Sequence, residues 1–234
     1  MIEYYIKERE KKMNPYLQGI IVALKGAPMT IGVSLFAVAV GALVGLCFAL
    51  MKKSEKKIVQ IIAKIYIEVV RGTPMIVQAL IMAYGIPYLL QQSGIAFKWP
   101  HLIIPAMIVC GLNSAAYMAE IVRSGIQAID AGQSEASRSL GMTSAQTMLY
   151  IILPQAIKNI LPAVGNEFVV IIKESSILYT IGIYELTYQA NKLASTNFRY
   201  LETLMISALV YFALTFTTSR LLGLLERRMR RGDR

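Results

Sequence analysis

The chain has 234 residues, of which 56% are hydrophobic and 16% are charged, and its mean hydropathy is +0.53. Soluble domains carry about 25% charged residues, so this composition excludes an ordinary soluble globule and indicates several membrane spans. The formal net charge of +10 comes from lysines and arginines that cluster between or after the apolar runs. That distribution is typical of membrane anchoring by the positive-inside rule and does not favour nucleic-acid binding.

The residues that usually bind metals are scarce. Cys47 and Cys110 lie in apolar runs, where cysteine packs as a small hydrophobe. His101 is the single histidine and follows Trp99 and Pro100, a sequence typical of a membrane interface. We therefore expect no metal or other cofactor in this chain. A phosphate-binding loop of the pattern G-x-x-x-x-G-K-[ST] is also missing from the sequence, so we expect any ATP to be bound elsewhere.

Five apolar runs are long enough to cross about 30 Å of hydrocarbon, which takes roughly 20 helical residues. They cover residues 28–51, 73–90, 101–122, 157–184 and 201–225, within a single transmembrane domain of residues 1–234. An apolar lead-in at residues 17–24 can extend the first run, and residues 58–70 form an amphipathic approach to the second. Gly41 and Gly45 fit a small-residue packing motif, or reflect how common glycine is in membrane helices.

Basic residues favour one side of these spans. If all five spans cross the membrane, residues 52–64 and the tail 220–234 lie on the same side as the loop 123–156. The positive-inside rule then predicts a cytoplasmic loop and C-terminus and an N-terminus outside. The basic residues between Lys7 and Lys12 oppose this orientation, unless that segment lies flat on a surface as an amphipathic helix.

A polar, glycine-interrupted segment lies within the loop 123–156. Residues 133–140 are good helix formers with Ser134 as a candidate N-cap, and Gly141 suits a left-handed helix C-terminus. Thr143 then begins a second helical run toward the membrane. A short helix, a turn and a second helix can insert into a groove of another protein as a rigid lever.

Polar side chains recur on single faces of two spans. Asn113, Tyr117 and Glu120 share one face of the third span, and Glu167 and Glu174 share one face of the fourth. A charge within a span costs roughly 2.5–3.5 kcal/mol on insertion scales, so such residues usually face partners or a water-filled path. Two polar faces in one bundle predict a solvated cavity.

Four blocks in the same order resemble the permease subunits of polar amino-acid ABC importers, in the histidine, arginine and glutamine permease family. They are residues 66–78, residues 112–123, the loop pattern E-A-A-x3-G-x9-I-x-L-P from Glu135 to Pro154, and residues 166–176. Ser137 replaces the second Ala of the loop pattern, and Glu174 stands where Asp is more usual. The likeness covers nearly the whole chain from the first span onward, and is weaker in the first 15 residues and after Ser176.

The resemblance implies an all-α membrane protein with the five-helix fold of a type I importer permease and a cytoplasmic coupling helix. It also implies a bacterial cell membrane location and an assembly of two permease subunits, identical or similar, with two ATPase subunits that bind ATP and Mg. An extracellular or periplasmic substrate-binding protein would deliver the substrate. This chain would then be a transport subunit and not an enzyme.

Three sets of candidate site residues follow. The expected substrate-binding residues are Thr73, Gln78, Asn113, Ser114, Tyr117, Glu120, Asn166 and Glu167. The expected ATPase-coupling residues are Gly132, Ser134, Glu135, Ala136, Ser137, Arg138, Leu140 and Gly141. The expected gating or structural residues are Arg71, Pro74, Arg123, Lys173 and Glu174.

The role of the acidic residues stays open at this point. Glu120 or Glu167 could accept the ammonium group of an amino acid, while Asn113, Ser114 or Thr73 could bind its carboxylate. The predicted substrates are cationic amino acids (arginine, lysine or histidine) or glutamine. The alternative is a network of ion pairs near the cytoplasmic ends of the spans, made by Arg71, Glu120, Arg123, Lys173 and Glu174.

Three other functions compete with an importer permease. An ion-coupled transporter or channel would show inverted repeats, and a membrane enzyme would need a nucleophile with its base or a metal site. A scaffold or signalling subunit would assemble with the ATPase without supporting uptake.

Overall fold

The structure, a computed structural model, describes residues 14–231, and side chains through Arg228. The described part is helical and contains no strand. Its helices are α1 Pro15–Met51, α2 Lys57–Gly72, α3 Met75–Gln92, α4 Ile103–Gln127, α5 Ala131–Ser139, α6 Ser144–Ile181, α7 Leu186–Asn197 and α8 Tyr200–Arg231. The basic segment around Lys7, whose position the sequence left open, lies outside the described residues.

Four helices, α1, α4, α6 and α8, are long and apolar enough to cross a membrane by themselves. A fifth candidate span is the helix pair α2 and α3, whose axes are bent by 106° at their junction. The bend occurs at Thr73 and Pro74 because proline lacks the amide hydrogen and forces the preceding residue into an extended conformation. The prediction of an all-α membrane protein is therefore confirmed, and the described residues contain four unbroken candidate spans and one broken one.

Two spans begin earlier than the sequence predicted. The apolar lead-in is continuous with the first span, since α1 begins at Pro15 and Asn14 caps it by accepting the Tyr16 amide at 2.9 Å. Helix α6 begins at Ser144, ahead of the predicted start at residue 157. The second half of the loop 123–156 is therefore helical and rigidly joined to the fourth span.

Helices α1 and α4 run parallel and form the most extensive helix pair of the described chain. Their contact is close because Gly41 lies against Ser114 and Gly45 against Met118, where an added Cβ would come within 2.6 Å of side-chain atoms. The packing role of the Gly41 and Gly45 motif is confirmed. Both helices end at the same end of the bundle, next to α5, which we call the loop end.

The other helices complete a bundle of alternating direction. Helix α6 runs antiparallel to α4, with Gly125 against Ile160 near the loop end, and α8 begins beside the start of α1, where Gly19 meets Ile206. We call the end where α1 and α8 begin the far end. Between the ends, α1, α3, α4 and α6 share a buried core that includes Val33, Ala79, Cys110 and Ile171.

Helix α7 was not predicted from the sequence, and a buried carboxylate anchors it at the far end. Glu185 is fully buried and caps α7 by accepting the amides of Thr187 at 2.9 Å and Tyr188 at 2.6 Å. Its carboxylate also accepts the Tyr211 hydroxyl of α8 at 2.7 Å. Burial raises the pKa of the Glu185 carboxyl, although these donors act in the opposite direction. Glu185 thus fastens α7 to α8.

Candidate functional site

The short helix predicted in the loop is present as α5, but its N-cap is a different residue from the predicted one. Helix α5 begins at Ala131 and is capped by Asp130, whose Oδ1 accepts the Gly132 amide at 2.7 Å. Ser134 lies inside the helix, so its assignment as the N-cap is wrong. The physical reason is that Asp130 is an equally good capping residue placed one turn earlier, and it satisfies a first-turn amide.

The turn after α5 has the backbone geometry that the sequence predicted. Gly141 has φ +86°, a left-handed conformation that costs glycine no Cβ clash. The Met142 amide donates to the Ser137 carbonyl at 3.2 Å and the Gly141 amide to the Arg138 carbonyl at 3.0 Å, which together form a Schellman motif.

Helix α6 then opens with a capping box between Thr143 and Gln146. The Thr143 hydroxyl accepts a hydrogen bond from the Gln146 backbone amide at 3.3 Å, and Gln146 Oε1 accepts one from the Thr143 backbone amide at 2.8 Å. The predicted helical run from Thr143 is confirmed.

Ser137, the departure from the family pattern, ties α5 to α6. Its hydroxyl is 3.0 Å from the Thr147 hydroxyl and donates to the Ser134 carbonyl at 3.0 Å, and Ser137 and Thr147 are both buried. The Arg138 guanidinium adds a hydrogen bond to the Ser144 hydroxyl. Helix α5 is therefore held rigidly on α6.

The outer face of α5 is open. Glu135 and Ala136 are exposed, and the Leu140 side chain is 85% exposed at the end of the helix. Within residues 14–231 Glu135 has no ion-pair partner. A rigid helix with an exposed acidic side chain and an exposed large apolar side chain can be bound by another protein.

The break between α2 and α3 is closed by two of the predicted substrate residues. Gln78 donates through Nε2 to the Val70 carbonyl at 2.8 Å and to the Thr73 hydroxyl at 2.8 Å. Its Oε1 accepts from Asn113 Nδ2 of α4 at 3.4 Å. Gln78 and Thr73 thus satisfy backbone groups that the Pro74 break leaves free, and they fix the broken span against α4.

The buried oxygens Asn113 Oδ1 and Glu167 Oε1 have no hydrogen-bond partner among the described residues. Ser114 on α4 faces Glu167 on α6. Each of these atoms can accept a hydrogen bond, and unpaired buried polar atoms are rare in folded proteins. The structure therefore brings buried polar side chains of α4 and α6 together, and the free oxygens of Asn113 and Glu167 can accept further hydrogen bonds.

Glu120, another predicted substrate-binding residue, is paired with basic side chains. Its carboxylate lies 2.7 Å from Nζ of Lys52, the residue after α1, 2.7 Å from Arg123 and 3.9 Å from Arg71. The Arg71 guanidinium also lies over the Tyr117 ring, 5.3 Å from its centre. The geometry favours the ion-pair alternative for Glu120. Sequence reasoning missed Lys52, because its contact joins α1 to α4 and no local pattern marks it.

The remaining candidate residues lie apart from Glu120 and its basic partners. Asn166 is exposed and lines a groove between α6 and α8, on a different side of α6 from buried Glu167. Lys173 and Glu174 lie near the far end of α6, and within the described residues no ion pair links them to Arg71. The ion-pair network around Glu120 therefore does not include these two residues, because α6 carries them away from the loop end and past the buried core that contains Cys110 and Ile171.

Comparison with known proteins gives the same architecture. Residues 37–231 match the family described as "binding-protein-dependent transport system inner membrane component". The chain is 36% identical over 210 residues to the arginine transport system permease protein ArtQ of Bacillus subtilis, covering 90% of this chain and 93% of the relative. It is 34% identical over 211 residues to the glutamine transport system permease protein GlnP of Escherichia coli, covering 90% and 94%.

Solved structures agree with these sequence matches. A crystal structure of an amino acid ABC transporter with histidines aligns with a TM-score of 0.82 at 49% identity, over 88% of this chain and 94% of that one. The methionine ABC transporter MetNI, inward facing, aligns with a TM-score of 0.65 at 17% identity, over 94% and 99%, which shows the shared fold alone. The predicted permease fold is confirmed.

Proposed function

Because the chain belongs to the family of inner membrane components of binding-protein-dependent transport systems, we propose that it is the permease subunit of an ATP-driven importer of polar amino acids. The observation that carries this function is α5, a capped, rigid helix that holds Glu135 and Leu140 exposed at the loop end. The chain itself is the transport subunit, and a separate ATPase subunit binds and hydrolyses ATP.

Two connections link movement of α5 to the buried polar residues Ser114 and Glu167. Helix α4 leads into α5 through Ala128 and Asp130, and the Ser137–Thr147 contact holds α5 on α6. Helices α4 and α6 carry Ser114 and Glu167. An ATPase that binds the coupling residues from Gly132 to Gly141 would therefore shift the two helices that carry Ser114 and Glu167.

The assembly contains two permease subunits, identical or similar, and two ATPase subunits at the loop end. We orient the loop end and the C-terminus toward the cytoplasm and the N-terminus outside. Basic residues support this orientation under the positive-inside rule. Those at the loop end include Lys53, Lys56, Lys57, Arg227 and Arg228, against Lys98, Lys192 and Arg199 in the segments that connect the spans at the far end. A substrate-binding protein then meets the far end.

The substrate is a cationic amino acid or glutamine. The unpaired buried oxygens of Asn113 and Glu167 match an ammonium group or another donor-rich group. Relatives that carry arginine and glutamine in their names support the same range. Thr73, Gln78 and Tyr117 are further substrate-binding residues on the elements around Asn113, and Pro74 has a gating or structural role. Arg71, Arg123, Lys173 and Glu174 have gating or structural roles.

Reconstitution tests this function. We would place the chain with its ATPase in liposomes, add the binding protein, and measure ATP-driven uptake of labelled arginine, histidine, glutamine and glutamate. We expect uptake of at least one of the first three. Assembly with the ATPase but no uptake of any of the four would contradict the substrate class, and failure to assemble would contradict the importer itself.

A pair of charge reversals isolates the role of α5. We expect Glu135→Lys to abolish ATP-driven uptake, because it reverses the charge that α5 offers to the ATPase. The matched control is Glu202→Lys, which makes the same change at an exposed position of α8 at the far end. Equal loss of uptake in both variants would assign the effect to charge and not to α5.

A further inference from the structure

Helix α2 carries an apolar stripe that no described residue covers. Its members lie at positions i, i+3, i+4, i+7 and i+11, so they share one helix face. Exposure is 75% for Ile58, 54% for Ile61, 53% for Ile62, 56% for Ile65 and 56% for Val69. We call these five residues the isoleucine stripe. An apolar surface of this length facing water would be costly.

The opposite face of α2 is fixed to the bundle, so the stripe is held outward. Ala63 and Ile67 are buried, the latter in a cluster with Ala49 of α1 and Ala119 of α4. Tyr66 donates its hydroxyl to the Leu112 carbonyl at 2.6 Å and stacks on Phe48 with ring centres 3.9 Å apart.

Exposed lysines lie beside the stripe. Lys53, Lys56 and Lys57 occupy the turn between α1 and α2, and no acidic side chain within residues 14–231 pairs with them. We call these three residues the basic corner. At 100° per residue, Lys57 and Lys64 fall on the flank of α2 next to the stripe, and Lys64 is only loosely paired with Glu68 at 3.8 Å, both side chains being 66% exposed.

The bend at Pro74 sets the direction of α2. Since the α2 and α3 axes differ by 106° and α3 belongs to a span, α2 lies close to the plane of the membrane. A helix in that plane, with an apolar stripe and lysines along its edge, has the composition of helices that rest in the membrane interface. Anionic headgroups attract such lysines when they follow a span directly.

We propose that the isoleucine stripe inserts at the boundary between headgroups and acyl chains, and that the basic corner binds the phosphates of anionic phospholipids. A protein partner would have to supply both a matching apolar groove and several carboxylates. The bilayer supplies both chemistries at this place, because α1, α3 and α4 next to α2 belong to its spans. The inference depends on the membrane location of the chain and not on its transport activity.

Fluorescence quenching tests insertion of the stripe. The chain has one tryptophan, so Trp99→Phe gives a background free of tryptophan. In that background we would add Ile62→Trp on the stripe or Lys64→Trp on the charged flank, and reconstitute the full chain with lipids brominated on their acyl chains. We expect at least twofold stronger quenching at position 62 than at position 64. Equal quenching, or none at position 62, would overturn the insertion and assign the stripe to a protein partner.

Thermal unfolding tests the headgroup contact. We expect phosphatidylglycerol added to detergent micelles to raise the unfolding midpoint of the full chain, and phosphatidylcholine not to do so. The shift should be lost in K53Q/K56Q/K57Q and retained in the matched variant K98Q/K192Q/R199Q, which removes three basic residues elsewhere. A shift that persists in the first variant, or is absent in the unmodified chain, would overturn the lipid site.

Discussion

At the scale of single residues, function in this chain depends on which buried polar atoms are paired. Ser137 has a partner in Thr147, Glu120 has three basic partners, and Glu167 leaves one oxygen unpaired. The sequence could identify Glu120 and Glu167 as acidic residues within spans, but could not separate their roles. That distinction depends on Lys52, which pairs with Glu120, and on Ser114, which faces Glu167. Both partners are distant in sequence from the acidic residue that they contact.

The Ser137 contact can be measured by a double-mutant cycle. Ser137→Ala should lower the free energy of unfolding by about 1–3 kcal/mol, because it leaves the buried Thr147 hydroxyl unpaired. Thr147→Val added to it should recover most of the loss, since both polar groups are then gone. Chemical denaturation of the four proteins gives the coupling energy, and strictly additive losses would show that the two hydroxyls do not interact.

The two acidic residues should respond differently to neutralisation. We expect Glu120→Gln to lower the unfolding midpoint, because Lys52 and Arg123 lose a charge partner at a site where the Glu120 side chain is only 16% exposed. Glu167→Gln should leave the midpoint nearly unchanged and reduce uptake, because it alters an unpaired acceptor. Uptake and thermal unfolding of both variants, measured side by side, separate the roles. If instead Glu120→Gln reduced uptake alone and Glu167→Gln lowered the unfolding midpoint, the two roles would be assigned the other way round.

At the scale of helices, the sequence predicted those elements whose signals are local. The apolar runs, the amphipathic α2 and the left-handed turn at Gly141 follow from composition and from glycine chemistry. Helix α7 was missed because it is short and polar on most of its surface, and its cap is Glu185 and not one of the residues usual at that position. The cap of α5 was misplaced because Asp130 and Ser134 are both good caps, and only the tertiary structure chooses between them.

The turn between α5 and α6 should be sensitive to a single methyl group. Gly141→Ala should cost about 1–2 kcal/mol, because alanine is strained at φ +86°. The control is Gly32→Ala, a helical position of α1 with no atom within 4 Å of an added Cβ, where we expect no loss. Unfolding of the two variants can be compared directly. Equal stability of both would show that the left-handed turn is not required.

At the scale of the whole molecule, the parallel packing of α1 on α4 organises the bundle. Gly45→Ala should destabilise the protein by about 1–3 kcal/mol, since the added methyl would lie 2.6 Å from Met118 Cβ and 2.7 Å from the Ala115 carbonyl oxygen. Thermal unfolding in detergent measures this cost. The control is Gly32→Ala on the same helix, where an added Cβ meets no atom within 4 Å. Equal stability of the two variants would show that the close contact between α1 and α4 tolerates a methyl group.

The same helix pair constrains how the protein is made. The first helix is complete at Met51, but its main partner is complete only at Gln127. At a synthesis rate of about 5–20 residues per second, the first helix therefore waits roughly 4–15 s in the bilayer before its neighbour emerges. During that interval the glycine surface of Gly41 and Gly45 faces lipid or the insertion machinery. Biogenesis of this protein thus includes a period in which its earliest segment has to remain available for a partner that the ribosome has not yet produced.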